Sequence, residues 1–343
     1  MERFLTFEIK KDYSSYTIGK FLKEQVHLTK RQISQMKFRP NGITKNGMRC
    51  RVTERLSTDD ILQICLEENH IASSHIENFS ASPDFITKDS LYADFSHGHF
   101  RHPILEILYE DEDLLAVNKP AGMVTHPTGI HYADSLTNLV AEYFQKKGQS
   151  ICLRPIGRLD KETSGIVIFA KNQTTASRLQ KTGSLWHLQK QYLAVVSGAL
   201  PIDPPITSSI QRKKSLWHTI NIPLIQDPDE PLKMCISRSP NDPSAKCAIT
   251  HYRTLFSCSE WSLVTLKLET GRTHQIRVHM ASIGHPLLGD TLYNAEGKSL
   301  TSPSFSRAAL HAWQVTFQHP FSKKELTLES PFPEDFSVIK IFL

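Results

Sequence analysis

The stretch PIGRLDKETSGIVIFAKN, residues 155–172, decides how the rest of the chain is read. Its second half, from Gly165 to Asn172, is a nearly unbroken apolar run, which predicts a strand buried on both faces. Its first half is a polar turn in which Arg158, Asp160, Lys161 and Glu162 crowd ahead of that strand. One carboxylate at the foot of a buried strand can form the floor of a cleft; the plainer alternative is a surface turn. Upstream, ILEILYE and LLAVNKP read as strands around a turn at Asp111–Asp113. DSLTNLVAEYFQKKG then reads as a helix capped by Asp134 or Ser135 and ended by Gly148. Downstream, TTASRLQKTG reads as a helix ending at Gly183, and YLAVVSG, AITHYRTLF, LVTLKLE and ALHAWQVTFQ read as strands, with a helix at RTHQIRVHMASIG. Residues 201–245 carry eight prolines and read as an irregular excursion. Strands interspersed with short helices, without regular βαβ spacing, predict an α+β fold with a mixed, largely antiparallel sheet.

The 343 residues are enough for two domains. The six cysteines never approach CxxC spacing, which sets aside zinc-ribbon and redox-motif readings. No apolar run approaches the ~20 residues of a membrane helix, and MERFLTFEIKKD lacks the apolar core of a secretory leader, so a cytoplasmic protein is expected. The net charge of +5 is unevenly spread. Residues 1–66 hold 13 Lys/Arg against 7 Asp/Glu, a net of +6, and the remainder 27 against 28, a net of −1. An appended basic module that meets a polyanion is one reading, and a solvated basic face is the other.

Within that segment, Tyr16–His27 reads as a helix, and TKRQISQMKF as a second one capped by Thr29 that carries Lys30, Arg31 and Lys37 and is followed by Arg39. Pro40-Asn41-Gly42 turns the chain. Ile43–Lys45 and Met48–Val52 flank Asn46-Gly47 as a hairpin, and ILQICL is a strand. Residues 71–102 read as a Ser/Asn/Pro-rich linker, where His97, His99 and His102 have no visible frame for a metal. Near the other end, LETGRTHQIRVHMASIGHPLLGD gathers Arg272, Thr273, His274, Gln275 and Arg277 at a strand–helix junction, a composition suited to anions or nucleotides. His274 and His279 are five apart, not the i, i+4 spacing of a zinc pair.

IGKFLKEQVHLTKRQISQMK, NGITKNGMRC and the strand after STDD resemble an S4 RNA-binding domain. NKPAGMVTHPT, GRLDKETSGIVIFAKN, KQYLAVVSG and TGRTHQIRVHMASIGHPLLGD occur in the order of the RluA-type RNA pseudouridine synthases, in a layout similar to the ribosomal large-subunit branch that carries an S4 domain. The position before Arg-Leu-Asp, usually His in that branch, is Gly157, as in the related RsuA-type branch. The resemblance implies an S4-like unit over 13–70, a linker over 71–102 and a catalytic domain over 103–343. It also implies isomerisation of uridine in RNA without cofactor or metal, with ribosomal RNA as the expected partner and the protein a monomer. Asp160 is then the catalytic carboxylate, Arg277 the cation that keeps it ionised, and Arg158 the side chain filling the space of a flipped base. Tyr192 would stack on the uracil, Lys190 and Arg272 would meet RNA phosphate, and Lys30, Arg31, Lys37 and Arg39 would dock the RNA. A tRNA-directed enzyme and a non-catalytic RNA-binding or ribosome-assembly factor are the alternatives. A glycoside hydrolase would need a second positioned carboxylate, for which Glu162 is nearest in sequence.

Overall fold

The structure, a computed structural model, describes residues 3–66, 104–128, 131, 133–180, 186, 188–203, 217–237, 239, 242–294 and 305–342. The expected linker with its histidines, and Gly183, lie outside the described residues.

The N-terminal residues form a four-stranded antiparallel sheet with two helices. Its strands are β1 (Phe4–Glu8), β2 (Ile43–Lys45), β3 (Met48–Arg49) and β4 (Ile61–Cys65), in the order β1-β4-β2-β3. Strand β1 begins the unit before residue 13, because its alternating pattern pairs with β4 from Phe4↔Cys65 to Glu8↔Ile61. Helix α1 (Ile18–Glu24) is capped by Thr17. Helix α2 (Lys30–Lys37) starts at the predicted Thr29 cap, with Gln32 completing a reciprocal capping box. Ile18, Phe21, Leu22, Met36, Ile43, Leu62 and Ile64 close a core of their own.

The second body is built on β5 (Glu106–Glu110), β6 (Leu114–Lys119), α3 (Leu136–Lys146), β7 (Arg154–Ile156), β8 (Ser164–Ala170), α4 (Gln173–Gln180) and β9 (Gln189–Ser197). It continues through β10 (His218–Asn221), β11 (Leu224–Gln226), β12 (Met234–Ile236), β13 (Ile249–Ser257), β14 (Trp261–Leu268), α5 (Gln275–Ser282), β15 (Leu310–Gln318) and β16 (Glu325–Glu329). The main sheet runs β10-β13-β14-β9-β15-β8-β6-β5, with β16 on β15 and β7 on β8. Among the described strands only β15 and β8 run parallel, so the sheet is mixed and mostly antiparallel, as expected. Within the 201–245 excursion, the described residues 217–237 hold strands that its prolines did not suggest: β10 extends the main sheet and β11–β12 form a separate ribbon. Those strands have only three or four residues each, too short to register as a periodic pattern.

Side chains alternate across the sheet as the period-2 rule requires. Leu115, Val117, Val167 and Phe169 face α3 and α5, whereas Leu114, Ala116, Ile166 and Ile168 face α4. All seven residues of β8 are buried, the signature read from GIVIFA. The parallel β8–β15 contact needs Gly165. Its φ is +111°, and a Cβ there would stand 2.2 Å from the Ala312 carbonyl oxygen, deep inside van der Waals contact. Gly165→Ala is expected to cost at least about 3 kcal/mol and lower the thermal midpoint by about 10 °C. A midpoint within about 2 °C of the parent would show that β8 and β15 do not approach this closely.

Candidate active site

Asp160 sits half-buried in the loop between β7 and β8, at the edge of the central parallel contact. The loop is anchored along its length. Thr125 Oγ1 accepts from Leu159 N (3.1 Å) and donates to Leu159 O (2.9 Å). Thr163 N donates to Asp160 O (3.1 Å), closing a turn, and Gly122 N donates to Lys161 O (2.8 Å). Beneath lies Lys119, 0% exposed, whose Nζ donates to the carbonyls of Pro120 (2.9 Å), Met123 (2.7 Å) and Lys161 (3.2 Å). Arg307 holds the far side through Glu162 O (2.9 Å) and Ser164 Oγ (3.2 Å), itself clamped by Asp335. Gly157 has φ +77°, a conformation strained for any side chain, which gives a physical reason for glycine at this position.

Tyr192 comes from β9, buried between Leu266 of β14 and Ala312 of β15. Burial, and then the charge of Asp160, push its phenol pKa well above the ordinary value. Burial lowers the His274 imidazole pKa, and Asp160 opposes that shift. His274 Nδ1 lies 3.0 Å from the Tyr293 hydroxyl, whose pKa burial pushes up to about 12. His274 also takes a left-handed φ of +53°, so α5 starts at Gln275 rather than at the expected Arg272.

Arg277 projects from α5, 3% exposed, and here the expected pairing is corrected. Its Nε and Nη2 donate to both oxygens of Asp290 (2.7 and 2.6 Å), not to Asp160. Glu162 lies 3.8 Å from it. Burial disfavours the charged guanidinium, but Asp290, followed by Glu162 and Asp160, raises its pKa. Arg277 therefore reaches Asp160 only through its field, and Asp290 occupies the bidentate geometry. Asp290 and Lys119 lie inside the motifs GHPLLGD and NKPAGM but are not singled out by the sequence; their place in those motifs is the available signal.

The remaining sequence candidates divide. Arg158 is exposed and hydrogen-bonds Thr273 Oγ1. Arg272 is exposed, with Nε donating to Cys247 O (3.0 Å). Lys190 lies beneath the loop rather than on an open surface, its Nζ 3.5 Å from Ile156 O, and burial lowers its pKa to about 8. Lys30 and Lys37 line an open groove of about 380 Å³ between α1 and α2, together with Lys20 and Lys23, which sequence reasoning passed over. Arg31 is exposed on α2. Arg39 instead turns into a narrow crevice beside Gln173 and Thr174 of α4.

Glu162 Oε2 accepts from Ala308 N (3.2 Å), and its backbone carbonyl is bound by Arg307, so it has a structural role. Asp111, Asp113 and His319 bring potential metal ligands within 4.8 Å of one another. However, His319 Nδ1 accepts from the backbone N–H groups of Phe321 (3.2 Å) and Ser322 (3.1 Å), so Nε2 carries the proton toward Asp111 (2.9 Å). Asp113 is bound to Arg3 and Asn172. The cluster is a hydrogen-bonded junction, and its histidine has no free lone pair for a metal.

Residues 113–282 match the RNA pseudouridylate synthase family. The chain is 39% identical over 233 residues to the RNA pseudouridine synthase YhcT of Bacillus subtilis, covering 67% of this chain and 70% of that one. It is 37% identical over 243 residues to the ribosomal large subunit pseudouridine synthase D of Zymomonas mobilis, covering 68% and 71%. The solved structure of human RNA pseudouridylate synthase domain containing 1 superposes with a TM-score of 0.50 at 25% identity, over 69% of this chain and 87% of that one.

Two outcomes test this arrangement. Asp290→Asn leaves the Arg277 charge buried without its counter-ion, and urea unfolding should show a loss of about 3 kcal/mol or more; a loss below about 1 kcal/mol would mean the pair does not hold the site. Burial lowers Lys119 to about 7 from 10.5, so between these values the unfolded chain binds a proton that the folded chain does not. Stability from this group therefore rises with pH. From pH 7 to pH 9 the parent should gain about 2 kcal/mol relative to Lys119→Met. A difference that stays flat across that window would place the ammonium in water.

Proposed function

The chain belongs to the RNA pseudouridylate synthase family and is an RNA pseudouridine synthase; on that premise we propose that it isomerises selected uridines of large-subunit ribosomal RNA with Asp160 as the catalytic carboxylate. In the reaction the N1–C1′ bond of uridine breaks, the uracil turns, C5 bonds to C1′, and the proton lost from C5 is balanced by one gained at N1. Nothing is oxidised or hydrolysed.

One observation carries the assignment. Of the three carboxylates around Arg277, Glu162 and Asp290 are hydrogen-bonded into the scaffold, whereas among the described residues nothing hydrogen-bonds the Asp160 carboxylate. It is the acid left free to meet a substrate, in the field of Arg277 and Lys119. A free carboxylate oxygen there suits attack at C1′ or C6, or removal of a proton at C2′. The target base enters by flipping out of the RNA stack. Arg158, exposed beside the loop and tethered only to Thr273, fills the space left behind, because a planar guanidinium both stacks on bases and binds phosphate. Tyr192 is held as the neutral phenol by burial and the nearby charge, which favours stacking on the uracil over action as a base.

The printed name of the Zymomonas relative supports ribosomal RNA as substrate, and the basic segment supports a second contact with it. We read the N-terminal unit as S4-like, with phosphates lying along the groove of Lys20, Lys23, Lys30 and Lys37. The test is pseudouridine mapping on large-subunit ribosomal RNA and on tRNA incubated with the purified protein. The expected product is pseudouridine at defined ribosomal positions, with turnover reduced at least about 10⁴-fold in Asp160→Asn while its thermal midpoint and RNA affinity stay near the parent's. Retained turnover would remove Asp160 from the mechanism, and modification confined to tRNA would overturn the substrate.

A further inference from the structure

The basic unit and the catalytic body touch through several residues, and one of these contacts is built around an arginine that the reaction does not use. Arg178 of α4 is 7% exposed. Its guanidinium donates to Val26 O in the N-terminal unit and to Pro320 O beyond β15. It lies 5.1 Å from the ring centre of Trp186 and 4.6 Å from that of Phe321, and Phe321 in turn packs against the N-terminal core. At the residue before Arg178, Gln32 donates to Ser177 Oγ (3.2 Å), while its own Oε1 caps α2 by accepting from Thr29 N (2.8 Å). Arg3 also bridges to Glu112 (2.9 Å) and Asp113 (3.1 Å), just before β6.

An isolated module has no use for these features. A guanidinium loses its hydration on burial, and it is retained inside a protein when its donors and faces are all met. Here one donor is met by one unit and one by the other, and two aromatic rings lie close to the guanidinium. The contacts draw on three places in the N-terminal unit, residues 3, 26 and 32, so that unit is held at more than one point.

We propose that Arg178 is a positioning residue for turnover of long RNA: it docks the N-terminal unit in one orientation, so that the lysine groove and Asp160 act as two fixed points along a single substrate. This rests on the reading of the groove as an RNA site given above. Two sites that engage one ligand gain affinity only where their geometry allows simultaneous contact. An undocked unit still binds RNA but no longer presents the target uridine at the cleft.

The test compares a long ribosomal RNA fragment with a short hairpin that carries only the target uridine. For Arg178→Leu, KM on the long RNA should rise about tenfold or more with kcat unchanged, and both constants on the hairpin should stay at the parent's values. The unchanged hairpin values also show that the variant is folded. In parallel, Gln32→Cys/Ser177→Cys is joined with a short bis-maleimide and the 32–177 link is identified by peptide mass spectrometry. The link should form in high yield and the linked enzyme should keep its turnover of long RNA. The proposal is overturned if the link does not form, if linking stops turnover, or if Arg178→Leu leaves KM on long RNA unchanged. Lys30→Ala/Lys37→Ala separates the two readings. If it leaves KM on long RNA unchanged, the groove reading fails and the proposal with it. If it raises KM while Arg178→Leu does not, docking alone fails.

Discussion

The buried side chain of Lys119 is the constraint on which the site rests. Three backbone carbonyls, those of Pro120, Met123 and Lys161, converge on Nζ in a place that water does not reach. A buried carbonyl without a donor costs roughly 1–3 kcal/mol, and three of them pointing inward would otherwise force these turns apart. When protonated, the lysine satisfies all three and so ties the end of β6 to the loop that carries Asp160. That loop has few side-chain contacts of its own. Its shape is imposed by backbone groups gripped from outside by Lys119, Thr125 and Arg307, and this leaves the Asp160 carboxylate uncommitted.

The same economy governs the charges. Arg277 is buried enough that it needs a permanent partner, and Asp290 meets that need with two short, parallel hydrogen bonds. If Asp160 had been that partner, as the sequence reading supposed, its oxygens would have been occupied by a guanidinium and unavailable to a sugar or a base. Because the pair forms with Asp290, Arg277 still contributes positive potential near Asp160 without consuming its lone pairs. Glu162, two residues further on, is spent on the Ala308 amide. Three acids close in space thus have different work, set by which of them the backbone allows to be solvated.

Much of this was legible in the sequence, for identifiable reasons. The run GIVIFA announced a strand covered on both faces, and the Thr29 and Ser135 caps marked helix starts because their hydroxyls answer local N–H groups. The antiparallel character and the basic second helix followed from pattern and charge. What escaped was whatever depends on distant partners. Strands β1 and β16 at sheet edges carry half-exposed, mixed residues, and β10 to β12 are too short for a period to show. No local pattern announces that a lysine will be buried or that an aspartate thirteen positions beyond an arginine will close on it. Arg39 shows the same limit: its position beside α2 is local, but Gln173 and Thr174 of α4, which line the crevice with it, come from another part of the chain.

The uneven charge of the sequence gains meaning from how the two bodies meet. A surplus of six positive charges in the first 66 residues favours contact with any polyanion, and does so without regard to sequence. Such attraction alone does not choose a uridine; it brings every uridine near the enzyme equally. Selectivity has to come from a distance or an angle that most sites on a folded RNA fail to match. A junction built on a buried arginine, with donors shared between the units, turns a non-specific charge into a fixed reference point. On the proposed reading, the groove measures where along the RNA the cleft falls, and the chemistry at Asp160 proceeds only where a uridine stands at that position and can leave its stack.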